Sequence, residues 1–323
     1  MTDLNHLTAT EALRKLQAGS IKAEDLVAAC IERIRSRDPQ VQAWVHLEPA
    51  AAALARARAI DQSADRRRLA GLPIAVKDVI DTGDMPTQYN SPIYRNHRPR
   101  VDAACVANAR REDAIVLGKT VTTEFASRVP GPTRNPHNPA HTPGGSSSGS
   151  AAAVADFMVP LAFGTQTGGS VIRPSAYCGA VGYKPSFGTI NCAGMKHLSE
   201  SLDTIGVIAR AVADCALLVN AISGRELPDF DAAPASAPRI ALCRTSRWQE
   251  ASAATHALPR SLGETSPVRA SEGSADRVRT PGRAASSRAS RRHGELASAC
   301  AVRDSLLRAI SHDPIFAQVD RYS

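Results

Sequence analysis

Four short, unbroken apolar runs constrain this chain more than any other feature: Pro73-Ile74-Ala75-Val76, Ala114-Ile115-Val116-Leu117, Val159-Pro160-Leu161-Ala162-Phe163 and Ile240-Ala241-Leu242. A strand with one wet face alternates polar and apolar residues, whereas a continuous run marks a strand covered on both faces. Between the runs, residues 102–112, 147–157 and 211–223 carry helical patterns. Strands alternating with helices predict an α/β fold in which a mixed, twisted central sheet is covered by helices on both faces.

The first 70 residues read differently. Thr8-Ala9-Thr10-Glu11 fits a capping box that opens a helix, and Gly19 ends it. Ser20 is expected to cap a second helix, with Leu26, Cys30, Ile31 and Ile34 on one face and Asp38-Pro39 as its stop. The Ala-rich residues 50–66 predict a third. Residues 1–70 are therefore expected to form a helical segment that packs on a core at 71–250. Residues 251–323 are atypical. From 259 to 293 the chain is built of Arg, Ser, Ala, Pro and Gly, and no aromatic residue occurs between Trp248 and Phe316. Such a stretch buries too little apolar surface to offset its ordering entropy. A disordered linker or tail is expected there, or a degenerate segment, since GC-rich DNA read in a shifted frame gives this composition.

Several function classes drop out. No run of about 18 apolar residues exists, so no transmembrane helix is expected. The first 20 residues lack an apolar signal region, and a cytoplasmic location is the default expectation. Seven cysteines are scattered singly with no CxxC pair, against a zinc ribbon or a thioredoxin-like motif. The net charge is +8, but half of it falls in residues 259–295, where eight Arg face four acids. The remainder is near balance, so no nucleic-acid footprint is expected.

The chemistry concentrates between Thr142 and Gly182. Pro143-Gly144-Gly145-Ser146-Ser147-Ser148-Gly149-Ser150 is followed by a helix–strand unit and then by Gly164-Thr165-Gln166-Thr167-Gly168-Gly169-Ser170. Ser150 stands where the lysine of a phosphate-binding P-loop belongs, which weighs strongly against one. A hydrolase elbow centred on Ser147 fits poorly, for no histidine sits in an informative context. A flexible linker conflicts with the apolar elements that abut both turns. A serine–lysine device remains: Gly168-Gly169-Ser170 offers backbone N–H groups to a developing oxyanion, and Lys77 stands at the end of a buried strand. Lys77 has two readings, a desolvated base or a strand-end lysine that reaches solvent or pairs with Asp78.

These two turns resemble the amidase signature family. The likeness extends to Gly71-Leu72-Pro73-Ile74-Ala75-Val76-Lys77-Asp78, Thr133-Arg134-Asn135-Pro136-His137-Asn138, Cys178-Gly179, Gly182-Tyr183-Lys184-Pro185-Ser186-Phe187-Gly188 and Ser201-Leu202-Asp203-Thr204-Ile205-Gly206. It runs from about Leu7 to Gly224 and weakly to Glu250. Residues 164–174 are most similar to malonamidase-like members. The resemblance implies a single amidase-signature domain, free of metal and cofactor, that hydrolyses a small carboxylic amide to carboxylate and ammonia through an acyl-enzyme. It implies Ser170 as nucleophile, Ser146 as a bridging serine on a cis peptide, and Lys77 as base. The N–H groups of Thr167, Gly168, Gly169 and Ser170 would form the oxyanion hole. Arg173 would grip a substrate carboxylate, Asp203 would bond backbone N–H groups in a turn, and Cys178 would be packing. The expected partner is a small amide, with no nucleic acid or membrane; a sheet edge or the N-terminal helices offer surface for a homodimer. Two alternatives stand beside this reading: an amidotransferase subunit using glutamine-derived ammonia, and a catalytically inactive truncated family member.

Overall fold

Among the described residues six strands, β1 (Trp44–Leu47), β2 (Pro73–Lys77), β3 (Ile115–Thr120), β4 (Leu161–Gln166), β5 (Val181–Tyr183) and β6 (Thr204–Ala209), build one sheet. Seven α-helices accompany them among the described residues: α1 (Ala9–Gln17), α2 (Ala23–Val41), α3 (Ala50–Gln62), α4 (Ala104–Arg111), α5 (Ser148–Ala155), α6 (Ile172–Cys178) and α7 (Val212–Ser223). This computed structural model describes residues 3–224 and Gln249. The run at 240–242 and the segment 251–323 lie outside the described residues.

The strand order is β1-β3-β2-β4-β6-β5. β2 runs parallel to both β3 and β4, while β1, β6 and β5 join antiparallel. Every residue of β2, β3, β4 and β6 is buried. Successive side chains of a strand point to opposite faces, so both faces of the sheet are covered. This is the mixed α/β architecture that the apolar runs predict. The parallel strands β2, β3 and β4 finish at the same end of the sheet, with Lys77, Thr120 and Gln166. That is the end at which open α/β sheets hold their sites.

The N-terminal segment packs on this core through specific bonds. Thr8 forms the expected capping box with Glu11. Thr10 donates from its backbone N–H and its hydroxyl to Asp214 Oδ1 in the first turn of α7, at 2.8 and 2.9 Å. Arg210, at the end of β6, donates to the carbonyls of Val159, Asn5 and Leu7. Three readings of this segment are corrected. α2 is capped by the Asp61 carboxylate of α3, which accepts Ala23 N–H and Glu24 N–H; the Ser20 hydroxyl donates instead to Lys15 O. α2 also runs through Pro39 to Val41, because an α-helix tolerates one lost N–H bond in its last turn when Gln42 closes it in the left-handed conformation. Finally, Trp44–Leu47 leaves the helical segment and pairs with β3 as an edge strand.

α5 is the central helix. Its sequence, Ser-Gly-Ser-Ala-Ala-Ala-Val-Ala, has almost no side-chain bulk, so it lies against β2, β3, β4 and β6. Its hydroxyls are buried and bonded: Ser150 to Phe163 O (2.9 Å) and Thr120 Oγ1 (2.7 Å), Ser148 to Val121 O (3.3 Å). Buried hydroxyls demand such partners. The tightest approach is at Gly149, where a Cβ would lie 2.2 Å from Ala43 O and 2.4 Å from Val121 N. Both are backbone atoms and cannot yield. Gly149→Ala is therefore expected to destabilise by about 2 kcal/mol, a clash larger than the ~1 kcal/mol that alanine gains in a helix. A lowered midpoint in a thermal or urea melt would show it; an unchanged midpoint would mean that α5 shifts freely.

Candidate active site

Lys77 is the last residue of β2 and is fully buried. Its amine reaches Ser146 Oγ at 2.7 Å and Thr165 Oγ1 at 2.8 Å, with Thr165 O at 3.4 Å. No carboxylate bonds to it among the described residues. Burial holds the amine well below the usual lysine range, and the charge of Asp203 opposes that shift only in part. Of the two sequence readings, pairing with Asp78 is not what the structure shows. Asp78 turns to a different lysine.

That lysine is Lys119 of β3, also fully buried, 3.4 Å from Asp78 Oδ1. It donates to Ile80 O (2.8 Å) and Thr87 Oγ1 (2.5 Å), and Asp78 accepts the Gln88 N–H. Burial lowers the Lys119 pKa and raises that of Asp78, each opposed by the other's charge. The pair fixes the loop that follows β2. β2 and β3 thus each carry a buried lysine, one register step apart and on opposite faces of the sheet, one in an ion pair and one among hydroxyls.

Ser146 follows a cis Gly145–Ser146 peptide and is 1% exposed. Its carbonyl accepts Thr123 N–H at 3.2 Å. Asn135 holds the preceding turn from outside, donating to Thr142 O and Tyr177 O, and His137 Nε2 meets Cys178 O at 2.8 Å. Cys178 is buried against Pro143 O and its thiol is pushed upward by burial, which fits packing and not nucleophilic attack. Ser170 joins the site through its backbone, its carbonyl accepting Ser147 N–H at 3.2 Å. Among the described residues no hydrogen bond links Ser170 Oγ to Ser146. Nor do the N–H groups of Gly168, Gly169 and Ser170 donate to any described protein acceptor.

Arg173, in the first turn of α6, donates from Nε (3.1 Å) and Nη2 (2.9 Å) to the carbonyl of Gly145. Its Nη1 lies beside Gly169, where a Cβ would come within 3.6 Å of it. Asp203 bonds backbone N–H groups as expected, those of Leu198 (2.7 Å) and Ser199 (2.9 Å), and also accepts the Thr167 hydroxyl. Two contributors escaped sequence reading. Thr165 faces Lys77 only because β4 pairs with β2. Gln166 Oε1 accepts the N–H groups of Val171 and Ile172, which anchors the entry to α6. The signal for both is a polar pair inside the Gly-rich turn, legible only once the strand pairing is known. No cluster of three His, Cys, Asp or Glu side chains suited to a metal occurs among the described residues.

The chain matches the Amidase family over residues 25–266, past the point where its composition changes. It is 43% identical over 248 residues to the A subunit of glutamyl-tRNA(Gln) amidotransferase from Chloroflexus aurantiacus, a match covering 74% of this chain and 51% of that protein. Its counterpart in Streptomyces coelicolor is 39% identical over 250 residues, covering 74% and 50%. Among solved structures, the peptide amidase of Stenotrophomonas maltophilia superposes with a TM-score of 0.63 at 34% identity, over 72% of this chain and 51% of that one. The same amidotransferase component from Thermotoga maritima gives 0.60 at 36%, over 70% and 48%. The chain spans about half the length of the curated relatives it matches.

The buried ion pair yields a prediction independent of activity. Asp78→Ala leaves Lys119 charged or forces it neutral inside the sheet, and a loss of about 3 kcal/mol of stability is expected. Denaturant titration measures it. A loss no larger than that of a surface ion pair would mean that the Ile80 and Thr87 oxygens suffice for Lys119.

Proposed function

The chain belongs to the amidase family, and from that membership together with the Lys77–Ser146 geometry we propose that it hydrolyses a small carboxylic amide to carboxylate and ammonia. The observation that carries this reading is the buried Lys77 amine, 2.7 Å from the hydroxyl of Ser146. Desolvation favours the neutral amine, which is the form that accepts a proton. Lys77 takes the proton of Ser146, and Ser146 takes that of Ser170. For this step the Ser170 hydroxyl comes within hydrogen-bond distance of Ser146 when substrate binds; such bonds are often long without substrate. Ser170 Oγ attacks the amide carbon. The unengaged N–H groups of Gly168, Gly169 and Ser170, with Thr167, receive the oxyanion. The proton returns through Ser146 to the leaving nitrogen, ammonia departs, and water releases the acyl group from Ser170. All these residues lie within 71–250, and we assign the chemistry to that part, with residues 1–70 as its packing support.

Arg173 is assigned to a carboxylate on the substrate. Its Nε and Nη2 hold Gly145 O, so the contact falls to Nη1, which stands next to Gly169. A guanidinium suits this double duty because its donors are fixed in one plane.

A second reading draws on the names of the relatives. If this chain acts as a glutamyl-tRNA(Gln) amidotransferase component does by name, the amide consumed is that of glutamine and partner subunits complete the reaction. Ammonia release from malonamate, glutamine and a neutral aliphatic amide, with Ser170→Ala protein as control, separates the readings. Release that depends on Ser170 supports amide hydrolysis, and glutamine preference favours the second reading. No release above the control, from soluble folded protein, would overturn both and leave an inactive family member.

Four outcomes are expected if the protein is active. Ser170→Ala abolishes release, and Lys77→Ala lowers kcat by about 10²–10⁴-fold, the usual worth of a general base; Lys77→Ala protein that keeps most of its activity would refute the base assignment. The rate rises with pH as Lys77 loses its proton and levels off well below the ordinary lysine range, because the folded pKa is depressed. A pH–rate profile that rises only in the ordinary lysine range would contradict it. Arg173→Ala costs about tenfold or more in kcat/KM toward carboxylated amides, as lost charged hydrogen bonds do, and less toward neutral ones. Equal loss toward both would limit Arg173 to holding Gly145.

A further inference from the structure

Asp203 does more than close its turn. The β4–β6 ladder ends with Gln166 opposite Thr204, so one further step sets Thr167 opposite Asp203. There the pairing continues through side chains: the Thr167 hydroxyl donates to Asp203 Oδ1. Asp203 is in turn fixed by two backbone N–H groups on Oδ2, from Leu198 and Ser199, and is only 4% exposed. This doubly anchored contact is the point at which residues 167–170 are tied to the sheet on the β6 side. On the α6 side, Gln166 Oε1 holds the N–H groups of Val171 and Ile172. The 167–170 turn is held at its two ends by these anchors, with the Ser147 N–H on Ser170 O as a third tie.

Charge enters as well. Proton uptake by Lys77 creates an ammonium in a site lined by hydroxyls and one carbonyl. The charged groups around it are few. Asp78, next along the chain, is engaged by Lys119 of β3, and β4 presents the uncharged Thr165. From the turn before β6 comes Asp203, two residues before Ile205, the ladder partner of the Thr165 that Lys77 meets, so strand alternation sets it on the Lys77 face; its other neighbour is His197 Nδ1 at 3.4 Å. Burial pushes the Asp203 carboxyl upward, but the Thr167 hydroxyl and the two N–H groups outweigh it and keep it below the usual carboxylate range. These bonds favour the ionised carboxylate.

We propose that Asp203 is a positioning residue of this site, holding the 167–170 turn through Thr167 and balancing the charge on Lys77 when that amine takes up a proton. The inference rests on the amide-hydrolase reading for its catalytic meaning, while its electrostatic part is measurable without turnover. It assigns two separable effects to one carboxylate, and the variants separate them. Asp203→Asn keeps the size and an acceptor for Leu198 and Ser199 but removes the charge. Thr167→Val keeps the charge and removes the tie.

The test uses the full chain with two readouts. One is the pH dependence of kcat/KM on the best amide of the panel. The other is the titration of the Lys77 Cε resonance in ¹³C-lysine-labelled protein, assigned by its absence from Lys77→Met. Asp203 raises the affinity of Lys77 for its proton, so Asp203→Asn should move both midpoints to lower pH. It should also reduce kcat about tenfold or more, toward the roughly 100-fold that a 1 Å misplacement costs, with KM little changed. Thr167→Val should reduce kcat and leave both midpoints in place, and Asp203→Glu should restore the midpoints. Asp203→Asn protein with unmoved midpoints would overturn the charge-balancing role whatever its kcat. Full activity in Thr167→Val would overturn the positioning role. If the wild type shows no Ser170-dependent turnover, the amide-hydrolase reading fails, and the positioning role fails with it. The Cε titration then decides the charge coupling alone: a moved midpoint sustains it and an unmoved one removes it.

Discussion

A lysine amine sealed inside a sheet is the constraint on which the rest of this structure depends. Charge is costly away from water, so an amine at full burial either finds a carboxylate or sheds its proton. Lys77 is given hydroxyls at 2.7 and 2.8 Å and no bonded carboxylate among the described residues. Those partners suit a neutral amine as well as a charged one, because a hydroxyl both donates and accepts. The environment holds only if water is kept out from both faces of the sheet. That is why the strands around Lys77 are buried along their whole length.

The adjacent strand supplies a built-in comparison. Lys119 is as deeply buried as Lys77, yet it meets Asp78, two carbonyls and a threonine hydroxyl. One lysine is a structural cation that organises a loop. The other is poised near a serine. The difference is one of partners and not of depth, which is how a fold pushes two like groups toward different tasks.

Bringing Ser146 to Lys77 requires backbone to pass close to backbone. α5 achieves it with glycine, alanine and serine, and the resulting crowding is bridged by the hydroxyls of Ser147, Ser148 and Ser150 bonded to β3, β4 and the residue after β3. Arg173 adds an external clasp on Gly145 O. The serine-rich turn thus reads as two populations. Ser146 faces the amine, while its three neighbours satisfy the sheet.

Much of this was legible in the chain. Continuous apolar runs marked β2, β3 and β4, since burial on both faces leaves no polar alternation. Helical patterning placed α4, α5 and α7, alanine content placed α3, and the capping box of α1 is local chemistry. β1, β5 and β6 were missed, and so was α6, because each is short or draws its support from a neighbour instead of from its own pattern. The same holds for the cap of α2, supplied by Asp61 from α3. The sequence by itself determined the fold class, the Gly/Ser turns and the residue types able to do the chemistry, for these depend on contacts within a few residues or on bulk patterning. Tertiary structure alone decided which lysine pairs with Asp78, that Thr165 faces Lys77, that Asp203 ties down Thr167 and that Arg173 holds Gly145. Those choices turn on strand order and register, which bring together groups tens of residues apart, and no local spacing encodes them.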